Sequence, residues 1–260
     1  MLEQIEKTLT QLRKTKPLVL CITNHVTMDL MANSLLAVGA APNMSSYEQE
    51  LEELIKLSHA VNLNIGTLDE GFAERFTLVV ELARYHNKPL ILDPVAVGAS
   101  VIRTECARGL MGCADIIRGN ASEIIGLSED GHQSLGVESL HTVGDAKDSA
   151  HKLATRLKNT VVISGEEDFI TDGAKQVSLK IGSPLMSLVT GMGCTLTAVI
   201  AAFRAVIPDP FEAATQATAY FGLCGNLAAS KAAKPGAFRA AFIDELYNSD
   251  LEAMKRFYVE

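Results

Sequence analysis

At 260 residues, 48% hydrophobic and 21% charged, the chain can bury a large core and is too apolar to be disordered. A formal net charge of −8, no Trp and only 5% aromatics exclude a basic nucleic-acid footprint and a stacking platform for single strands. No run of about 18 or more apolar residues occurs, so no membrane-spanning helix is expected.

Residues 1–16 carry Leu2, Ile5, Leu9 and Leu12 at helical spacing among charges, which reads as an amphipathic helix and not as a signal peptide. Short apolar runs follow at 18–22, 61–65, 89–92, 114–117 and 160–163. Helical patterns separate them, one on Phe72, Phe76, Val79 and Ala83, another on Ala146, Ala150, Leu153 and Leu157. Glu48, Glu50, Glu52 and Glu53 read as a solvated helix face. Strands alternating with helices predict an α/β fold with a mostly parallel central sheet and helices on both faces. Residues 169–171 and 176–181 flank Asp172-Gly173, a hairpin signal, so the sheet is expected to carry an antiparallel pair near its edge. Ala-rich periodic stretches at 193–206, 211–232 and 238–258 read as helices in close packing. No linker or repeat interrupts the chain, and one domain over 1–260 is expected.

The five cysteines are odd in number and widely spaced, which argues against a disulfide framework or zinc site and for a reducing compartment. His25, His59, His86, His132, His141 and His151 have no metal-ligand spacing and read as ordinary surface or core residues.

In open α/β sheets, ligands bind outside the carboxyl ends of the strands. Each expected strand here ends in polar or glycine residues: Thr23-Asn24; Asn64, Gly66 and Thr67; Asp93-Pro94; Arg118-Gly119-Asn120 with Glu123; and Ser164-Gly165-Glu166. Helix capping explains part of this, with Asn120 as N-cap and Glu123 as its box partner. It explains less well why Asp, Arg and Glu gather there. A second signal is Thr190-Gly191-Met192-Gly193-Cys194-Thr195 before an apolar helix. Two glycines expose consecutive N–H groups, and the helix terminus adds partial positive charge, so the loop can cradle an anion. It is neither a Walker A loop nor a Rossmann fingerprint. Cys21, Cys106, Cys113 and Cys224 read as small buried hydrophobes. Cys194 stands in the first helical turn, where a thiolate is favoured, and either a nucleophile or a proton acceptor is reasonable there.

The blocks Cys21-Ile22-Thr23-Asn24, Asn64-Ile65-Gly66-Thr67-Leu68, Leu92-Asp93-Pro94-Val95, Ile117-Arg118-Gly119-Asn120-Ala121-Ser122-Glu123, Ser164-Gly165-Glu166 and Thr190-Gly191-Met192-Gly193-Cys194 occur in order along almost the whole chain. Together with Ala32-Asn33, 36–44 and Thr171-Asp172-Gly173, they resemble the hydroxyethylthiazole kinase family of the ribokinase-like superfamily. The resemblance implies ATP-dependent phosphorylation of 4-methyl-5-(2-hydroxyethyl)thiazole, a thiamine salvage step, in the cytoplasm. It implies a homotrimer with sites between subunits. It places Cys194 where most ribokinase-like enzymes carry an aspartate base, with Gly191, Met192, Gly193 and Cys194 forming the anion hole. Arg118 and Ser164 match ATP contacts, and Met44 and Gly191 match thiazole contacts. Asp93 and Glu123 match the Mg²⁺–phosphate site, and Asn24 and Asn64 the thiazole side. Two departures stand out: Met192 replaces a small residue or Thr, and Ala96 replaces Gly. Ser164, where Thr is commoner, keeps the hydroxyl. The rivals are a sugar, pyridoxal or hydroxymethylpyrimidine kinase, a lyase for hydrated nicotinamide nucleotides, and a non-catalytic nucleotide- or thiazole-binding regulator. The first two would carry Asp at position 194.

Overall fold

The computed structural model describes residues 1–128 and 143–258. His132 and His141 lie outside the described residues. Eight strands form one sheet in the order β2-β1-β3-β4-β5-β6-β7-β8. They are β1 (Leu18–Ile22), β2 (Ala41–Met44), β3 (Ala60–Asn64), β4 (Leu90–Asp93), β5 (Ile116–Asn120), β6 (Thr160–Ser164), β7 (Asp168–Thr171) and β8 (Gln176–Leu179). The first six run parallel; β6 to β7 and β7 to β8 are antiparallel. The expected α/β fold, with an antiparallel hairpin at the edge, is therefore present.

Alternation along each strand splits the core in two. Val19, Cys21, Ala60, Ile91, Ile116 and Val162 face one layer, while Leu20, Ile22, Val61, Leu63, Leu92 and Ile117 face the other. The first layer holds α1 (Leu2–Thr15), α2 (Met28–Val38), α8 (Met192–Arg204), α9 (Pro210–Lys231), α10 (Pro235–Asn248) and the short α11 (Leu251–Met254). The second holds α3 (Glu48–Leu57), α4 (Phe72–Tyr85), α5 (Val101–Met111), α6 (Ala121–Ser128) and α7 (Val143–Leu157). Parallel strands covered on both faces need nearly continuous apolar runs, as β1 and β6 have. α8 is buried along Thr195–Phe203, which explains its Ala- and Val-rich composition: a helix without a solvent face needs no polar stripe.

Three elements differ from the sequence expectation. β2, Ala-Pro-Asn-Met, has no apolar run; among the described residues it pairs only with β1, and a Pro is compatible with such an edge position. The hairpin loop spans 172–175, not two residues: the Asp172 carboxylate accepts the N–H groups of Ala174 (2.8 Å) and Lys175 (2.6 Å), and β8 ends at Leu179. The expected helix over 238–258 breaks at Ser249, which adopts φ 51° and divides it into α10 and α11.

The chain runs from β1 outward to β2 and then returns to β3 on the other side of β1. α2 covers one face and α3 the other. The strand order thus reverses between β1 and β3, and a crevice opens at their carboxyl ends.

Candidate active site

Asn24 follows β1, and Asn64 ends β3, at the two lips of that crevice. The Asn24 amide donates to Asn64 Oδ1 at 3.0 Å and to Cys194 Sγ at 3.4 Å. Asn64 in turn donates to Asp93 Oδ2 at 2.8 Å, at the end of β4. Thr197, one turn into α8, donates to the same Asp93 oxygen at 2.9 Å. Cys194, Asn24, Asn64 and Asp93 are thereby one connected network, although 170 residues separate its ends in sequence.

Asp93 is fully buried, and its Oδ1 has no hydrogen-bond partner among the described residues. The nearest cation is Arg118 on β5, with Nη1 at 3.9 Å. Burial outweighs that attraction and raises the Asp93 pKa to about 6. Arg118 Nη2 donates to Ser164 Oγ at the end of β6. The guanidinium lies directly over Gly193: a Cβ there would come within 2.5 Å of Nη1. A side chain at 193 would therefore push the guanidinium aside, whereas the backbone there is ordinary helix.

Gly191 is required for a different reason. It N-caps α8 at φ 91°, in the left-handed region, and a Cβ would meet Thr27 Cγ2 at 2.6 Å. Among the described residues, no side chain caps the helix. The Thr195 N–H bonds the Gly191 carbonyl at 2.8 Å, and the Met192 N–H faces the Val189 carbonyl at 3.4 Å. That leaves the Gly193 and Cys194 amides without a partner among the described residues. Two free N–H groups at a helix N-terminus, with a guanidinium alongside, can bind an anion. The expected four-residue cradle is centred on these two.

The first helical turn favours a thiolate, but the surroundings of the Cys194 thiol act the other way. Burial pushes it up to about 11, and the Asp93 carboxylate pushes the same way; Asn64, Arg118 and Asn24 only partly oppose them. The group is a thiol near neutral pH, able to orient a hydroxyl but seldom ionised.

Glu123 realises the expected capping box. Its Oε2 accepts the Asn120 N–H at 2.8 Å, and Asn120 Oδ1 accepts the Glu123 N–H at 2.9 Å. Its Oε1 accepts the Ala96 N–H at 2.8 Å. Ala96 itself stands at φ 63°, left-handed for a non-glycine residue. Among the described residues no group of three or more His, Cys, Asp or Glu is placed to hold a metal ion. Asp93 Oδ1 is the one orphaned carboxylate oxygen of this set and fits a divalent cation that also keeps water and phosphate ligands. Both Glu123 oxygens already hold backbone amides, so Glu123 fits such an ion through its remaining lone pairs or a water.

Met44 ends β2 at the same end of the sheet, beside Cys21 in register. Sequence reasoning missed Thr197, Thr27 and Arg103. Thr27 Oγ1 donates to Asn24 Oδ1 at 3.0 Å and packs on Gly191, tying the β1 loop to the glycine loop. Arg103 on α5 donates to the carbonyls of Ile65 at 2.7 Å, Gly66 at 2.9 Å and Val95 at 3.4 Å, pinning the loops after β3 and β4. No local motif announces these residues; the Thr197–Asp93 bond alone spans 104 positions.

Among known proteins, the model of the hydroxyethylthiazole kinase family matches residues 9–252. The hydroxyethylthiazole kinase of Chlamydia caviae is 50% identical over 99% of both chains. That of Vibrio atlanticus is 44% identical over 97% of this chain and 96% of its own. The solved hydroxyethylthiazole kinase of Pyrococcus horikoshii superposes with a TM-score of 0.90 at 36% identity, over 99% of this chain and 98% of that one. Pyridoxal kinase of Bacillus subtilis, at 18% identity and TM-score 0.61 over 80% of this chain and 91% of its own, shares the ribokinase-like fold. The chain belongs to the hydroxyethylthiazole kinase family.

Proposed function

We propose that this kinase transfers the γ-phosphoryl group of ATP to the hydroxyl of 4-methyl-5-(2-hydroxyethyl)thiazole, a salvage step toward thiamine, in the cytoplasm. The observation that carries the reading is the meeting of Cys194, Asn64, Asp93 and Arg118 at the open N-terminus of α8. Phosphoryl transfer calls for positioning and charge neutralisation more than covalent chemistry. The Gly193 and Cys194 amides and the helix terminus stabilise charge on the equatorial phosphoryl oxygens. Arg118, backed by Ser164, supplies a bidentate cation to the nucleotide phosphates. Bound Mg²⁺ supplies neutralisation of phosphate charge, and Asp93 with Glu123 is the pair that would hold it. Asn24 and Asn64 hold Cys194 in place as the thiazole side of the site, with Met44 and Gly191 lining it. Cys194, a thiol, accepts the substrate hydroxyl's hydrogen bond and orients its attack. In a loose transition state the hydroxyl proton leaves late and can pass to an oxygen of the transferred phosphoryl group, so the protonated Cys194 need not take it.

The reading includes a homotrimer with sites between subunits. Val26, in the Asn24 loop, is 70% exposed, and Leu188, just before the glycine loop, is 62% exposed. Apolar side chains left open on both sides of the site support cover by a neighbouring subunit. The test is coupled ADP release with a panel of alcohols: hydroxyethylthiazole, pyridoxal, hydroxymethylpyrimidine and a sugar. Turnover with the thiazole alone supports the reading; turnover only with another alcohol, or none while Mg-ATP binds, refutes it. Light scattering with activity across a dilution series tests the trimer, whose dissociation should abolish turnover.

A further inference from the structure

Asp168 opens β7, and none of the roles above uses it. It is a buried carboxylate, 9% exposed, and its Oδ1 accepts the Gly165 N–H at 3.0 Å. Gly165 directly follows Ser164, the last residue of β6, whose hydroxyl receives Arg118. Because β6 and β7 are antiparallel, with Ile163 opposite Phe169, this single hydrogen bond closes the 164–168 turn at its neck. The turn has a further tie, on its outer side, where Glu167 Oε1 accepts Lys147 Nζ at 2.6 Å; the Asp168 bond is the one next to Ser164. A buried carboxylate is a costly way to close a turn. Burial raises the Asp168 pKa to about 6, against the opposing pull of the Gly165 N–H and of Arg118. A costly group that bonds the residue next to a proposed ligand contact points to that contact as its purpose.

We infer that Asp168 is a positioning residue for the nucleotide: by accepting the Gly165 N–H it fixes the turn that presents Ser164 Oγ and, through it, aims the Arg118 guanidinium at phosphate. The inference rests on the proposed assignment of Arg118 and Ser164 to ATP. It assigns the effect to the hydrogen bond, so a neutral acceptor of the same shape should serve.

The experiment is ADP titration by calorimetry together with steady-state kinetics on the full-length enzyme. Asp168→Ala should weaken ADP binding and raise the KM for ATP by about tenfold, the effect of one lost buried hydrogen bond. The KM for the alcohol, and kcat at saturating ATP, should stay within about twofold, the error range of such comparisons. Asp168→Asn keeps the acceptor and should restore ADP affinity. Unchanged ADP affinity in Asp168→Ala overturns the inference. So does an equal rise in the alcohol KM, which marks a merely structural role, or an Asp168→Asn variant as weak as Asp168→Ala. If Asp168→Ala does not fold, Gly165→Pro removes the same hydrogen bond from the donor side and carries the same expectations. Arg118→Ala separates the two layers: unchanged ADP affinity there defeats the underlying nucleotide assignment. Loss there without loss in Asp168→Ala defeats this inference alone.

Discussion

Two helices lie against each other on the same face of the sheet, and their N-termini are built in opposite ways. α9 begins at Asp209, whose carboxylate accepts the N–H groups of Phe211 at 2.8 Å and Glu212 at 3.2 Å, with Pro210 at the first helical position. That is a terminus closed for stability. α8 begins at Gly191 with no side-chain cap, and at its second position a glycine stands where α9 has Phe211. The amides that α9 satisfies from its own chain, α8 leaves free beside Arg118. Both helices are Ala-rich and buried, so composition does not separate them. The missing cap does: a folded chain leaves helix amides unpaired beside a buried cation where a ligand is to complete them.

The largest test of that contrast is Gly193→Ala. Alanine suits a helix, so the fold should persist, but its Cβ would displace the Arg118 guanidinium from the open terminus. Turnover in coupled ADP release should fall about a hundredfold, the usual effect of losing one charge-stabilising group. A near-normal rate would show that Arg118 need not lie over the loop. Cys194→Ser should lower turnover by about tenfold, less than a true general base would cost, with ADP affinity unchanged. Full activity would remove Cys194 from the chemistry.

The ionisation of Cys194 can be read directly. With a pKa of about 11, the thiol is protonated near neutral pH. Its alkylation by iodoacetamide, followed on its own peptide by mass spectrometry, should climb with pH until about 11. The sign also reaches stability: the unfolded thiol ionises near 9, before the folded one, so this group favours unfolding progressively as pH rises above 9. A plateau in alkylation near pH 8 would restore the thiolate reading. At the closed terminus, Asp209→Ala should cost about 1 kcal/mol in urea unfolding and leave turnover unchanged. A loss of activity there would mean that the two termini are not independent. The smallest expected effect is Ala96→Gly. It relieves a left-handed alanine and should raise stability by about 0.5–1 kcal/mol, with the Ala96 N–H still serving Glu123.

The parallel strands, the edge hairpin and the glycine loop were legible because each is a local pattern: an apolar run, a turn dipeptide, or a GxG before a helix. The Asn120–Glu123 box was legible for the same reason, its partners being three residues apart. β2 was not, because Ala-Pro-Asn-Met carries no periodicity and becomes a strand only through the neighbouring β1. The protonation of Cys194 was not legible because a helix terminus is visible in sequence, whereas burial and the Asp93 carboxylate arrive from other strands. Asn24 and Asn64 were read as substrate-side residues; their hydrogen bonds also make them the bridge between Cys194 and Asp93. Thr197 and Asp168 lie in segments whose local reading is simply buried helix and strand.

Arg103 ties together two loops that are far apart in sequence. One guanidinium, reaching in from behind the sheet, is shared among the main-chain oxygens of two separate loops. Those loops carry the backbone next to Asn64 and Asp93, so neither can swing without straining the other. The floor beneath the proposed phosphate site is in effect a single plate riveted from below.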